Sequence, residues 1–256
     1  MLTGIDHVVV VVPDLEAAIT SYTDLGFTVV RGGRHPIGSH NALSAFADGA
    51  YLELIAFFDP TAKHRWRAAL DKGGGLADFC MQTSDLKADA DAFRAAGVAM
   101  GEPWPLSRTR PDGYALHWVL CTPGEPHGGL APFLIEDTTP RDERVPRQRT
   151  HANGVTGIAG LTVAAPDVAS VRRWWAAVPG SGVHDVRRDD VGGAGTRVTV
   201  GPHALDFVAP TMPGSPLSTW IASRGPSPYA LTLTTTGVTG PLDARRALSA
   251  RLSLVR

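Results

Sequence analysis

Along this chain an apolar run ends at an aspartate, a helically spaced segment follows, and two or three shorter apolar stretches come next. That order then recurs. The first run, residues 5–12, is almost wholly apolar and β-branched, which predicts a strand buried on both faces. Pro13-Asp14 stops it, and Asp14 is placed to cap a helix whose apolar positions Leu15, Ala18, Ile19 and Tyr22 share one face before Leu25-Gly26. Short strands are predicted over residues 27–30, 41–46 and 51–57, the last two joined by Asp48-Gly49, a hairpin signal. The unit reads β-α-β-β-β.

Its opening motif returns twice. Gly4-Ile5-Asp6-His7 is followed by Gly75-Leu76-Ala77-Asp78 and then by Gly157-Ile158-Ala159-Gly160, each before a Pro-Asp or Ser-Asp step. The fourth position therefore holds His7, Asp78 and Gly160 in turn, as expected of duplicated modules of which only some keep a site. In the second copy, strands are predicted over 76–83, near Val98, and over 114–121 and 130–135, with a helix over 86–96. The third copy predicts a strand over 158–164, a helix over 168–178 and strands over 183–186, 196–200 and 204–208. A partial fourth unit starts at residues 229–235 and lacks room for its last strands. The expected fold is α+β, with tandem βαβββ modules paired into curved mixed sheets.

The modules divide the chain into an N-terminal domain over 1–137 (modules 1–58 and 75–137) and a C-terminal one over 154–256. Between them, 138–153 carries Arg141, Asp142, Glu143, Arg144, Arg147 and Arg149 without hydrophobic periodicity, and reads as a solvated linker. Net charge is −1 and no aromatic-basic patch stands out, so nucleic acid is not an expected partner. No membrane-length apolar window and no signal layout occur, which predicts a soluble, cytoplasmic protein. Cys80 and Cys121 fall inside predicted strands and read as buried small hydrophobes.

The residues also carry a family resemblance. Tandem β-α-β-β-β units with His7 on the first strand and Glu53 on the fourth resemble the vicinal oxygen chelate superfamily, which includes glyoxalase I, the extradiol dioxygenases and the fosfomycin and bleomycin resistance proteins. Gly32-Gly33-Arg34-His35-Pro36, Gly38-Ser39-His40-Asn41-Ala42-Leu43, Tyr51-Leu52-Glu53-Leu54-Ile55, and Arg110-Pro111-Asp112-Gly113 leading to Trp118 are similar to bacterial glyoxalase-like domain proteins. The resemblance covers residues 1–137 best.

It implies a trough between paired modules with a divalent metal on its floor, held by first- and fourth-strand residues. Carried over, the ligands are His7 and Glu53 from module one, and Asp78 and Glu136 from module two, Glu136 lying about two residues beyond the Glu53 register. One histidine with up to three carboxylates suits Mg²⁺ or Mn²⁺, with Zn²⁺, Ni²⁺ or Fe²⁺ also open. His40 is the second candidate for proton transfer beside Glu53, with Asn41 as a substrate-binding amide. His117 and Trp118 are candidate lining residues. His35 reads as an exposed loop residue, and His64, His127, His151, His184 and His203 have no assigned role. The third module looks emptied: Gly160 replaces the histidine, Asp206 stands alone at the fourth-strand position, and one of Trp174 and Trp175 is core.

Two classes of function follow. One is a metal-dependent isomerase, lyase or hydrolase acting on a small carbonyl or hydroxy-carbonyl substrate through enolate stabilisation. The other is a metal-free binding protein of the resistance type, with a drug-like ligand in the same trough. The expected partner is a small molecule, and a homodimer is an arrangement the fold allows.

Overall fold

The computed structural model describes residues 1–256. Module one comprises β1 (Leu2–Val11), α1 (Leu15–Asp24), β2 (Val30–Arg34), β3 (Ser39–Ala45) and β4 (Tyr51–Phe57); a short helix α2 (Arg67–Asp71) connects it to module two. Module two comprises β5 (Gly75–Thr83), α3 (Leu86–Ala95), β6 (Trp104–Thr109), β7 (Ala115–Cys121) and β8 (Phe133–Asp137). After α4 (Arg141–Arg144), the third module runs through β9 (Val155–Ala164), α5 (Val168–Ala176), β10 (Gly182–Arg188), β11 (Gly193–Val200) and β12 (His203–Pro210). The chain ends with α6 (Pro216–Arg224), β13 (Ser227–Thr235), β14 (Gly240–Pro241) and β15 (Leu252–Val255).

The recurring aspartate does what its position predicts. The carboxylate of Asp14 accepts from the Ala17 N–H at 2.7 Å, Asp85 from Ala88 at 3.0 Å and Asp167 from Ser170 at 3.0 Å, starting α1, α3 and α5. Modules one and two roll into a closed barrel in the order β1-β4-β3-β2-β6-β7-β8-β5. β1 lies parallel to β4 and antiparallel to β5, so the first strands of both modules meet at its centre. At the far side, β2 meets β6 through one residue pair, Arg34 and Thr109. The third module and the partial fourth form an open seven-stranded sheet, β10-β11-β12-β9-β13-β15-β14.

Strand alternation separates two cores. Val8 and Val10 face outward into a cluster of 46 buried residues, while Val9 and Val11 face the barrel interior with Ile55, Trp118, Phe133 and Ile135. The outer cluster holds both halves of the chain together: Phe79 meets Phe207, and Phe93 lies edge-on to Trp175. Both members of the Trp174-Trp175 pair are buried there.

The stretch 138–153 is not a solvated linker. It includes α4, whose Arg144 is 2% exposed and reaches under the barrel. His151 is buried, accepting at Nδ1 from the Thr28 N–H and donating at Nε2 to the Ala45 carbonyl, so this segment is stitched to the barrel wall. Two predicted strands also lie elsewhere. The stretch before Val30 and the neighbourhood of Val98 are not strands; β2 and β6 come later, on sequences weakened by Gly32-Gly33 and Pro105.

Candidate active site

The barrel interior opens to the surface as a narrow cavity lined from both modules. Half of its lining residues are hydrophobic, including Trp66, Trp104, Trp118, Phe133 and Ile135, and the other half are polar or charged. Into this space point His7 from β1, Asn41 from β3 and Glu53 from β4. Their meeting follows from register: β1 and β4 pair in parallel with Glu53 opposite Val9, and β3 and β4 pair with Asn41 opposite Ile55, which brings the three side chains onto one inner face.

The three are joined by hydrogen bonds. His7 Nε2 lies 3.3 Å from Glu53 Oε2, and Asn41 Nδ2 donates to Glu53 Oε1 at 2.6 Å. On its other side, His7 Nδ1 lies 2.6 Å from Asp6 Oδ1, and its ring stacks on Tyr51 at 4.7 Å between centroids. Asp6 and His7 are neighbours in sequence yet both serve the interior, because β1 slips register between Ile5 and His7 and leaves Asp6 as the extra residue. Asp6 is fully buried and held by Arg144, whose Nη2 donates to Oδ2 at 2.6 Å, and by Arg141. Arg144 also binds Asp137 and donates to the Tyr51 hydroxyl at 2.9 Å.

Charge follows from these contacts. Burial alone would lift the carboxyl of Asp6, but Arg144, Arg141 and the His7 bond hold it well below its ordinary value. Burial disfavours a charged His7, yet its bonds to Asp6 and Glu53 win and raise its pKa. Glu53 shows the reciprocal effect, held down by His7 against the cost of burial. The resting pair is therefore an imidazolium against a carboxylate. His35 is also inside, 6% exposed, with Nδ1 3.0 Å from Ser39 Oγ; burial brings its pKa down to about 4. His64 lines the mouth and is likewise brought down to about 4 by burial.

Several expected site residues lie elsewhere. His40 alternates with Ser39 and Asn41 on β3, so it faces out of the barrel, edge-on to Phe58 and partly exposed, with no part in the cavity. His117 points outward from β7 for the same reason, whereas Trp118 lines the cavity. Glu136 lies on the outer face of β8 and accepts from the Leu86 N–H at 2.8 Å at the start of α3. Because the motif copies align Gly4 with Gly75, Val9 corresponds to Cys80, which pairs with Phe133; the counterpart of Glu53 is thus Phe133.

Asp78 does occupy the position matching His7, but it is already neutralised. Its Oδ2 accepts from the Trp66 indole at 2.7 Å and from Arg65 at 2.7 Å, and its Oδ1 from the Phe79 N–H at 2.9 Å. Burial still raises its pKa. A divalent ion held by paired first- and fourth-strand residues therefore does not fit this barrel. Of the four positions, one is Phe133 and another has Arg65 as its cation. Asp6, His7 and Cys80 come within 4.8 Å of one another, but Asp6 is spent on two guanidinium groups.

Arg65, Trp66, Arg108, Arg144, Tyr51 and His35 are the site residues that sequence reasoning missed. Arg108 had a readable signal, alternating with Trp104 and Leu106 on one strand face. Arg144 had none beyond membership of an arginine cluster.

In the third module, Asp206 sits opposite Thr162, the position matching Glu53, and is closed by Arg197 at 2.7 Å and Arg188 at 3.1 Å. Nothing there faces a comparable cavity. No helix is long and apolar enough to cross a membrane.

No functionally curated protein matches the chain in sequence. Among solved structures, a hypothetical protein from Staphylococcus aureus superposes with a TM-score of 0.72 at 13% identity, covering 100% of this chain and 99% of that one. A mutant of 4-hydroxymandelate synthase from Streptomyces coelicolor superposes with a TM-score of 0.64 at 17% identity, covering 92% of this chain and 72% of that one. Identities this low establish a shared fold and no more. The family model "Glyoxalase-like domain" matches residues 5–178, more than half of the sequence, and the chain belongs to that family.

Proposed function

We propose that the barrel interior catalyses proton transfer on a small carbonyl or hydroxy-carbonyl substrate, as an isomerase, lyase or hydrolase working through an enolate. One observation carries this reading: a buried imidazolium–carboxylate pair, His7 and Glu53, faces the cavity. Asp6 fixes Nδ1, so Nε2 is the nitrogen presented to the cavity. A substrate carbonyl that accepts from Nε2–H takes the place of Glu53 on the imidazolium. Glu53 then loses the partner that keeps it acidic, becomes a stronger base in a dry surrounding, and accepts the proton from the carbon next to the carbonyl. The developing enolate oxygen stays on His7, while Asn41 keeps the Glu53 carboxylate oriented. Return of the proton from another direction, or loss of a neighbouring group, completes the reaction.

The test is hydrogen–deuterium exchange at carbon, followed by NMR, over a panel of small keto and hydroxy-keto compounds in heavy water. Parent protein is expected to catalyse exchange of at least one, with Glu53→Gln slowing it by about 10²- to 10⁴-fold. No exchange with any compound, alongside ligand-induced stabilisation of the fold, would favour the metal-free binding class instead.

The metal-dependent reading rests on His7 Nε2 and Glu53 Oε2, which are close enough to share a cation in place of a proton. Metal analysis of protein purified without chelator decides it: His7→Ala, Glu53→Ala must remove a stoichiometric ion for that reading to stand.

A further inference from the structure

Every buried carboxylate in and under the barrel has its cation. Asp6 is matched by Arg141 and Arg144, Asp137 by Arg144, Glu53 by His7 and Asp78 by Arg65. One buried cation is left over. Arg108, on the inner face of β6, is 3% exposed and forms no ion pair with any acidic group. Its guanidinium makes a single hydrogen bond, from Nη2 to the Arg144 carbonyl at 2.8 Å, and its Nε is buried without any partner. Burying an unmatched guanidinium is costly, and a folded chain keeps one where something else supplies the anion. The Arg108 side chain borders the cavity that contains His7 and Glu53, among Trp66, Trp104, Leu106, Trp118 and Phe133.

We propose that this cavity takes a small organic anion, its carboxylate seated on Arg108 and its apolar, preferably planar, body between the tryptophans and Phe133. The planar guanidinium meets a carboxylate with two parallel hydrogen bonds. The aromatic wall supplies the rest of the contact and excludes charged or bulky polar bodies. For the proton-transfer reading this names the substrate as a carbonyl acid; it rests on that reading for turnover, whereas binding of the anion does not.

The experiment is thermal unfolding of the full chain with benzoate, phenylacetate and phenylpyruvate, each beside its uncharged amide, and with inorganic phosphate at matched ionic strength. The acids are expected to raise Tm in a saturable way while the amides and phosphate do not. Arg108→Met is expected to raise the Tm of the ligand-free protein, since it removes an unmatched buried charge, and to weaken carboxylate binding about ten- to hundred-fold. Should that variant fail to fold, Arg108→Gln is expected to show the same loss of affinity. Amides or phosphate stabilising as well as the acids, or an uncharged variant at position 108 that still binds the acids with parent affinity, would overturn the proposal. Glu53→Gln separates the two readings. Carboxylate binding that survives in it, with exchange absent even in the parent, sinks proton transfer and leaves the anion site standing. Exchange confined to uncharged carbonyl compounds does the reverse.

Discussion

At the residue scale, the site depends on side chains whose charge is set by what surrounds them. His35 shows how that setting reaches stability. Burial depresses its folded pKa to about 4, whereas an unfolded histidine titrates near ~6.5. Folding therefore favours the neutral ring. Its contribution is complete above ~6.5 and is lost as pH falls through the window down to about 4, where the unfolded chain takes up a proton that the folded chain refuses. His35→Gln should flatten the dependence of the urea midpoint on pH across that window, leaving a residual slope from His64, which is shifted the same way. An unchanged slope would mean that other groups carry it. Glycine matters here once: a Cβ on Gly32 would come within 2.1 Å of Asn41 Oδ1, so the bare backbone at that point is what lets Asn41 reach Glu53.

At the scale of elements, α4 does more than its four residues suggest. It delivers Arg144 to Asp6, Asp137 and the Tyr51 hydroxyl at once, closing the end of the barrel behind His7. Arg144→Met leaves Asp6 buried with Arg141 and His7 alone, and breaking a buried pair from one side costs about 3–5 kcal/mol. Denaturant titration at neutral pH should show a loss of that size, and a change under about 1 kcal/mol would mean that Arg141 and His7 suffice. This element was invisible in the sequence, because a cluster of near-balanced charges without periodicity looks the same whether solvated or folded under a barrel. The apolar first strands and the aspartate caps were readable, since each follows from local chemistry. So was the inward direction of His7 and Glu53, fixed by alternation. Misplacing Glu136 came from long-range register, which one sequence does not encode locally: a slip of one residue on β8 turns a side chain from the cavity to the outer face. His40 is excluded by local alternation, since it is the strand neighbour of the inward-facing Asn41. Asp78 was located correctly and assigned the wrong counterion, because Arg65 arrives from the connection before α2.

At the scale of the molecule, the C-terminal sheet acts as a buttress. Its core is continuous with the outer core of the barrel, and Asp48, from the hairpin between β3 and β4, accepts from the Ile158 N–H of β9 at 2.7 Å. The face of the barrel lying on that sheet is thereby held from behind. The opposite side has no such support, and there the ring of strands is completed by the lone Arg34–Thr109 pair, with Gly33 pressed so close to the Thr109 carbonyl that a Cβ would sit 1.9 Å from it. A ring fastened so weakly at one place behaves as a clasp: thermal breathing concentrates there, and separating β2 from β6 turns a closed vessel into an open gutter without disturbing His7, Glu53 or the buttressed wall. Amide exchange under native conditions should accordingly be faster along β2 and β6 than along β1 and β5, and Gly33→Ala should quicken it further on those two strands alone. Uniform protection around the ring would mean that the interior is reached by its mouth and not by its clasp.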